Sequence, residues 1–265
     1  MTAISATLVK ELRELTGAGI MDAKRALQET GGDVDAAKRI LREKGMASAE
    51  RRAGRPTTEG KVGYRVANGR GTIVGVGCET EPVSNNDEFL AFAKKVLETI
   101  EAKGVGAEQE LEEERIALSA KLGENIQIVQ PARFEAIDGG VIEGYAHPPA
   151  NKIGVLVQVR GGSQELARKL AMHIAASSPQ YVGRDDVPDE VVGTERDIYM
   201  STDEVQSKPE QAREKIVEGM LGKRFFAETV LADQAWIHEP KKSVAQALEE
   251  EGVKLLEFER YALAE

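Results

Sequence analysis

Glycines divide the first 45 residues into three segments, each with the apolar spacing of a short helix. The first helix is expected to end at Gly17 and the second at Gly31, and Asp33 is a good N-cap for a third that runs to Gly45. The apolar positions are Leu8, Leu12 and Leu15; Ala23, Ala26 and Leu27; and Val34, Ala37, Ile40 and Leu41. Such short helices bury their apolar stripes against one another, which predicts a three-helix bundle.

The apolar pair Ile20-Met21 follows Gly19, in what the glycines indicate is the turn between the first two helices. A small bundle fills its core with few side chains, so we expect this pair to be exposed and to contact a partner. The alternative is that Met21 folds back and fills a gap in the core, as methionine often does.

Composition limits the class of protein. The chain has 265 residues, of which 41% are apolar and 30% charged, enough for two or three domains with real cores. No run reaches the roughly 18 apolar residues that a membrane helix needs, and the N-terminus lacks the continuous apolar core of a signal peptide. We therefore expect no membrane association and a cytoplasmic location.

The chemistry-bearing residues give little support for catalysis. A single cysteine, Cys78, excludes an intrachain disulfide and is expected to be a strand residue rather than a nucleophile. Gly75 and Gly77 lack the third glycine of a dinucleotide-binding loop because Thr80 stands there, so they predict a strand. There is no phosphate loop, no nucleophile elbow and no zinc-ligand spacing. We predict no metal, no cofactor and no chemical step, which leaves a regulator of another protein or a chaperone-like module.

The charges are unevenly spread. A net charge of -10 argues against nucleic-acid binding. A basic stretch stands at the end of the third helix: Lys38, Arg39, Arg42, Lys44, Arg51, Arg52 and Arg55. We interpret it as a solvated connector; contact with an acidic partner or RNA is the alternative. The acidic residues of 108–114 are expected to form a solvated helix face.

Two later segments resemble each other. Residues 62–79 read VGYRVANGRGTIVGVGCE and residues 142–159 read IEGYAHPPANKIGVLVQV, each with a Gly-Tyr pair, a turn containing asparagine and a β-branched strand. Each precedes a helical apolar pattern, formed by Phe89, Phe92, Ala93 and Val96 or by Leu166, Leu170 and Ile174. Because one hairpin and helix cannot bury a sheet face alone, the pattern predicts an α+β core of two similar units.

The last third changes pattern twice. Pro188 and the turn at residues 207–209 predict a helical hairpin, in which Gly193, Gly219 and Gly222 each lower intrinsic helix stability by about 1 kcal/mol. Residues 236–238 then look like a strand, residues 243–251 like a helix and residues 255–261 like a final strand.

Several stretches together resemble one protein family along almost the whole chain. They are LVKELRELTGAGIMDAKRAL, GGDVDAAKRILREKG, CETEPVSNNDEF, AMHIAASSPQYV and KIVEGMLGKRFFAETVLADQAW. They are similar, in this order, to bacterial elongation factor Ts. The resemblance implies a ubiquitin-associated-type bundle and linker at residues 1–55, a core subdomain at 56–140, a second at 141–187 and 227–265, and a helical hairpin at 188–226.

The family resemblance also implies a function. Elongation factor Ts binds the GTPase elongation factor Tu in its GDP-bound and nucleotide-free states. It promotes GDP release by disturbing the magnesium and phosphate site. A Thr-Asp-Phe-Val element performs that step, and here it corresponds to Thr80, Glu81, Pro82 and Val83, which we call the strand-end segment. Pro82 replaces the aromatic residue and fills less volume. The alternative is that these four residues only turn the chain.

The resemblance further implies that Ile20, Met21 and His147 contact elongation factor Tu. Two other functions stay open at this point. A ubiquitin-associated-like binding or chaperone module would use the bundle without exchanging nucleotide, because a three-helix bundle alone specifies only protein contact. An RNA-binding accessory would use the basic stretch, against the acidic charge of the chain. We expect no direct nucleic-acid contact.

Overall fold

A computed structural model describes residues 4–263 and shows a mixed fold, 54% helical and 21% strand. The helices are α1 (Ala6–Thr16), α2 (Ile20–Glu29), α3 (Val34–Arg52), α4 (Glu81–Ser84), α5 (Asp87–Lys103), α6 (Glu112–Leu122), α7 (Gln164–Ser177), α8 (Asp189–Ser201), α9 (Asp203–Gln206), α10 (Glu210–Met220), α11 (Ala227–Thr229) and α12 (Val244–Glu250). The strands are β1 (Glu59–Ala67), β2 (Arg70–Cys78), β3 (Gln127–Glu135), β4 (Gly140–Ala146), β5 (Ile153–Arg160) and β6 (Lys254–Ala262). The predicted α+β class is confirmed.

The first three helices pack around a small core of their own, built from Val9, Leu12, Ala23, Ala26, Leu27 and Ala37. Gly17 ends α1 in the left-handed conformation, and the Asp33 carboxylate caps α3, as the sequence predicts. The prediction that the third helix ends at Gly45 is wrong. Helix α3 continues to Arg52 because Gly45 lies against α6, where an added Cβ would be 3.1 Å from the Ala120 methyl group. A glycine at a helix crossing permits close approach without ending the helix.

Two antiparallel three-stranded sheets form the rest of the core, in the orders β1-β2-β3 and β4-β5-β6. The two hairpins, β1–β2 and β4–β5, are those that the related sequence segments predict. The turn asparagines, Asn68 and Asn151, both have the left-handed conformation, with φ of 53° and 54°. Asparagine tolerates this conformation better than most residues, so the same residue type occupies the same role in both turns.

Each sheet has one face against helices and the other against its partner sheet. The β2 side chains Val74, Val76 and Cys78 pack on α5, and the β5 side chains Val155, Val157 and Val159 pack on α7. Between the sheets lie Val62, Ile73, Phe134, Ile142, Leu156 and Leu263. Close approach there requires glycine: a Cβ on Gly144 would be 2.1 Å from the Tyr64 ring. The predicted strand at Gly75 and Gly77 is confirmed, because both lie in β2.

The predicted helical hairpin is formed by α8 and α10, with the short α9 at its turn. Its apolar interior contains Val205, Val217, Met220 and Leu221, with Tyr199 packed against them. Two ion pairs join its helices, Arg196 with Glu218 and Arg224 with Glu204. A π-helical segment, Leu221–Phe226, leads back to the core.

Two details of the core differ from the sequence prediction. Residues 236–238 form turns and not a strand: the backbone N–H of Trp236 donates to the Lys242 carbonyl, and Trp236 is buried against α7. Strand β3 was not predicted, because Pro131 and a shift in register interrupt its pattern. The helix Val244–Glu250 and the strand Lys254–Ala262 confirm the remaining predictions. Throughout residues 4–263, every helix is too short or too polar to cross a bilayer.

Candidate functional site

The apolar pair Ile20-Met21 is exposed at the beginning of α2. The exposed fractions are 56% for Ile20 and 64% for Met21, so the alternative that Met21 fills the bundle core is wrong. The expected turn between the helices is shorter than predicted, since Gly19 is already the N-cap and the pair forms the first two helical residues. Ala23, Ala26 and Leu27 occupy the buried face of the helix, and Met21 lies on the opposite face. Ile20 is spaced like Ala23 and Leu27, but it is exposed as the first residue of the helix.

The strand-end segment begins two residues after β2 ends. Thr80, Glu81 and Pro82 are exposed, while Val83 is half-buried against the α5 core. The segment is not a loop: Glu81 to Ser84 form one helical turn, with proline in its first turn, where no N–H partner is required. The backbone carbonyl of Glu81 accepts hydrogen bonds from Ser84 Oγ and Asn85 Nδ2, at 2.9 and 3.2 Å.

The base of the segment is held by one carboxylate. The backbone N–H groups of Glu79 and Thr80 both donate to Glu124 Oε2 at 3.0 Å, and the Thr80 hydroxyl donates to Glu124 Oε1 at 2.5 Å. Glu124 follows Gly123, the left-handed residue that ends α6. Three donors on one carboxylate fix the direction in which the chain leaves β2.

A lysine joins the other side of the segment to the second sheet. Lys61 Nζ donates to Asn85 Oδ1 and to the Ala150 carbonyl, both at 3.0 Å. Next to it, the N–H of Val62 donates to the Asn151 carbonyl at 2.7 Å. The strand-end segment and the β4–β5 turn therefore lie side by side.

His147 stands in that turn and is exposed. Its Nδ1 is 2.9 Å from the Tyr145 hydroxyl, and the two rings meet edge to face with centroids 5.9 Å apart. Its backbone N–H donates to the Ile153 carbonyl, which closes the hairpin. Lys61 thus links the turn that contains His147 to Asn85, which follows the strand-end segment, whereas Ile20 and Met21 belong to α2 in the bundle.

The basic stretch is not a connector, because α3 runs to Arg52, but most of its side chains are exposed as predicted. Arg42 pairs with Glu113 of α6 at 2.6 Å, and Arg55 pairs with Glu79 at 3.3 Å. Arg52 Nη1 lies 3.5 Å from the Ser119 carbonyl of α6. These cations join the bundle to the core. The acidic residues of 108–114 do lie on an exposed face, in a 3-10 turn and the first turn of α6.

The buried titratable side chains are structural. Burial first, and the charge of Glu124 second, raise the pKa of Cys78 to about 12, so it stays a thiol at the end of β2. Burial lowers the pKa of His173, whose Nε2 is 3.0 Å from Gln234 Oε1 and whose Nδ1 accepts from the Ile237 N–H at 3.3 Å. Within residues 4–263, no three His, Cys, Asp or Glu side chains form a group that could hold a metal ion.

Sequence reasoning missed Glu124 and Asn125. Asn125 is buried; its N–H donates to Glu79 at 2.6 Å and its Nδ2 donates to the Arg55 carbonyl at 2.8 Å. A polar pair directly after a helix-ending glycine is the only local signal. Since the partners of this pair are 44 to 72 residues away, no periodicity identifies them.

The fold and the site define a class: an α+β protein with exposed candidate site residues on both its bundle and its sheets. Comparisons with known proteins give the family. The family model described as Elongation factor TS matches residues 79–265. The chain is 43% identical to elongation factor Ts of Shewanella amazonensis over 266 residues, covering 99% of this chain and 92% of that one. It is 41% identical to that of Vibrio vulnificus over 266 residues, with the same coverages, and 40% identical to that of Klebsiella pneumoniae over 269 residues, covering 100% and 93%.

The chain belongs to the elongation factor Ts family. It is a nucleotide exchange factor for elongation factor Tu in translation elongation.

Proposed function

We infer that the chain releases GDP from elongation factor Tu by inserting the strand-end segment beside the magnesium site of that partner. Magnesium bridges protein and phosphate oxygens, so a shift of the elements that hold it removes a large local charge and opens the phosphate site. Binding of the factor and binding of GDP then oppose each other, and this coupling is reciprocal in free energy.

The observation that carries the proposal is the geometry of the strand-end segment. Glu81 and Pro82 are exposed at the end of a buried strand, and the turn that contains them is held at both sides by Glu124 and Lys61. Within residues 4–263, the Glu81 carboxylate has no hydrogen-bond or ion-pair partner, so it is available to the partner protein. A rigid support lets binding energy act on the partner instead of deforming the segment.

We further propose that the chain contacts two separate domains of elongation factor Tu. Ile20 and Met21 contact the nucleotide-binding domain of elongation factor Tu, together with the strand-end segment, and His147 contacts another domain of the same partner. The corresponding division of the chain is a ubiquitin-associated-like bundle and linker at residues 1–55, core subdomains at 56–140 and at 141–187 with 227–265, and a hairpin at 188–226. The separate apolar cores of the bundle, the two sheets and the hairpin support this division.

Several expected absences complete the function proposed for the chain. It performs no chemical step of its own and requires no cofactor, since the work is done by displacement. It binds elongation factor Tu in the GDP-bound and nucleotide-free states, acts in the cytoplasm and makes no direct contact with nucleic acid. The net charge of -10 supports the last point.

Release of labelled GDP from elongation factor Tu tests the mechanism. Replacement of both exposed side chains, Glu81→Ala with Pro82→Ala, is expected to slow release by about tenfold or more, because groups that act only at the nucleotide site are removed. The matched control is Glu114→Gln, an exposed carboxylate of α6 that pairs with Lys95. Equal rates for wild type and the double alanine variant, with both folded, would show that the segment only turns the chain.

A further inference from the structure

We propose that Glu124 is a positioning residue for nucleotide exchange: it holds the strand-end segment in the orientation that acts on elongation factor Tu. This inference rests on the proposed function of that segment. It assigns a role to a side chain outside the segment that follows from its hydrogen bonds and its place in the fold.

Glu124 makes a complete set of contacts with the base of the strand-end segment. Both carboxylate oxygens of Glu124 are used: Oε2 accepts the N–H groups of Glu79 and Thr80, and Oε1 accepts the Thr80 hydroxyl. Thr80 is the N-cap of α4, yet its side chain makes no capping bond within that helix, because its hydroxyl is turned to Glu124. The carboxylate therefore holds the two backbone N–H groups that directly precede α4, and with them the direction in which α4 begins.

Glu124 is anchored to the core through its buried neighbour, Asn125. Its neighbour Asn125 is buried, donates from Nδ2 to the carbonyls of Ala53 and Arg55 at 3.3 and 2.8 Å, and donates from its N–H to Glu79. The Glu79 carboxylate in turn pairs with Arg55. The residue pair 124–125 thus ties the strand-end segment to the chain that leaves α3 of the bundle.

This arrangement has a mechanical consequence. The exposed pair Ile20-Met21 belongs to the bundle, and the exposed Glu81 and Pro82 belong to the first sheet, so a partner that touches both must find them at a fixed separation. Polar connections between these regions run through Glu124 and Asn125 and through the ion pair of Arg55 with Glu79. Loss of the Glu124 carboxylate frees the base of α4 without removing any group that touches the partner.

The test measures GDP release from elongation factor Tu over a range of factor concentrations. For Glu124→Ala we expect the maximum release rate to fall by about tenfold, with the half-saturating concentration changed by less than about threefold, since misplacement of a positioned group lowers the rate more than the binding. Glu124→Gln keeps the shape and one acceptor oxygen, so its rate is expected to lie between those of wild type and Glu124→Ala. Glu114→Gln, the same chemical change at an exposed position of α6, is expected to behave as wild type.

A double-mutant cycle makes the result specific to positioning. If Glu124 acts through the segment, adding Glu124→Ala to the Glu81→Ala, Pro82→Ala variant is expected to slow release by less than about twofold further. Independent multiplication of the two effects would overturn the proposal, as would a wild-type rate for Glu124→Ala. If thermal melts show that Glu124→Ala is unfolded at the assay temperature, the same cycle is run with Glu124→Gln and decided by the same criteria.

The outcomes separate this proposal from the one on which it rests. If the double alanine variant exchanges as fast as wild type, the function proposed for the segment fails. If that variant is slow but Glu124→Ala is fast, only the positioning role fails.

Discussion

At the scale of single residues, the candidate site consists of exposed side chains, such as Glu81, and of side chains that support them, such as Glu124. Ile20, Met21 and Glu81 are exposed as their positions beside glycines or at a strand end indicated. Glu124 and Asn125 were missed because their roles depend on partners far away in the chain. A supporting residue leaves no pattern in the sequence. An apolar residue at a position where a polar one is expected can be recognised from the sequence alone.

His173 provides a test at this scale. Burial lowers its pKa in the folded chain, while the unfolded chain titrates near the ordinary value of 6.5. The folded state thus binds fewer protons, so stability is complete above about pH 6.5 and is lost as the pH falls below it. We expect the free energy of unfolding, measured in urea, to be lower at pH 5.5 than at pH 7.5.

Two variants identify the residue responsible. His173→Gln is expected to remove most of this pH dependence, whereas His238→Gln, at an exposed histidine, is expected to keep it. A pH dependence that survives in His173→Gln would assign the effect to another group.

Pro82 is the departure from the family pattern, and its exposure leaves room for a larger side chain. Pro82→Phe is expected to change the GDP-release rate by about threefold or more while the melting temperature stays within about 2 °C, because an exposed position tolerates added volume. Release becomes faster if the partner's pocket has the usual size and slower if it is adapted to proline. An unchanged rate would mean that Pro82 does not enter the partner.

At the scale of elements, helices and hairpins were predictable where their signals are local. Caps such as Asp33 and turn asparagines such as Asn68 act within a few residues, and both were identified. The length of α3 was not predictable, because Gly45 is a helix-ending signal in the sequence and its contact with Ala120 overrides that signal. Strand β3 escaped prediction for a similar reason: β2 pairs with it across a register shift, and pairing is a tertiary property.

Helix α2 carries the apolar pair, and its exposure predicts a binding effect without a folding effect. Ile20→Asp with Met21→Asp is expected to weaken the complex with elongation factor Tu by roughly a hundredfold, at about 1.5 kcal/mol for each apolar side chain that the partner would bury. Calorimetric titration against elongation factor Tu gives the affinity. The control is Val105→Asp, a 55% exposed apolar residue after α5. Unfolding of the bundle in the double variant would instead assign the pair to the core.

The helical hairpin contains glycines that its packing does not require. A Cβ on Gly193 in α8 or on Gly219 in α10 would meet no atom within 4 Å. Each change to alanine is therefore expected to stabilise the chain by about 0.5 to 1 kcal/mol, measured by urea unfolding. Gly123→Ala is the matched control: it also has open space, but its φ of +78° makes alanine unfavourable, so it is expected to destabilise. Destabilisation by Gly193→Ala would contradict the helical geometry.

At the scale of the whole molecule, the pairing of two similar sheets was predictable in outline. The repeated Gly-Tyr and asparagine positions indicated two units, and one hairpin and helix cannot bury a sheet face alone, which indicated that the units pack side by side. The close approach of the two sheets was not predictable, because it depends on a glycine that lies opposite a large ring, as Gly144 lies opposite Tyr64. The basic stretch also makes contacts that its composition did not indicate, since Arg42 pairs with Glu113 and Arg55 pairs with Glu79 of the core.

The central claim concerns what the whole chain does to its partner, and one measurement tests it most directly. Labelled GDP bound to elongation factor Tu from the same organism is chased with unlabelled nucleotide, with and without the chain far below the concentration of Tu. The account predicts that the chain accelerates release over many turnovers and hydrolyses no nucleotide by itself. Release at the spontaneous rate, with elongation factor Tu shown to be active and the chain shown to be folded, would contradict it.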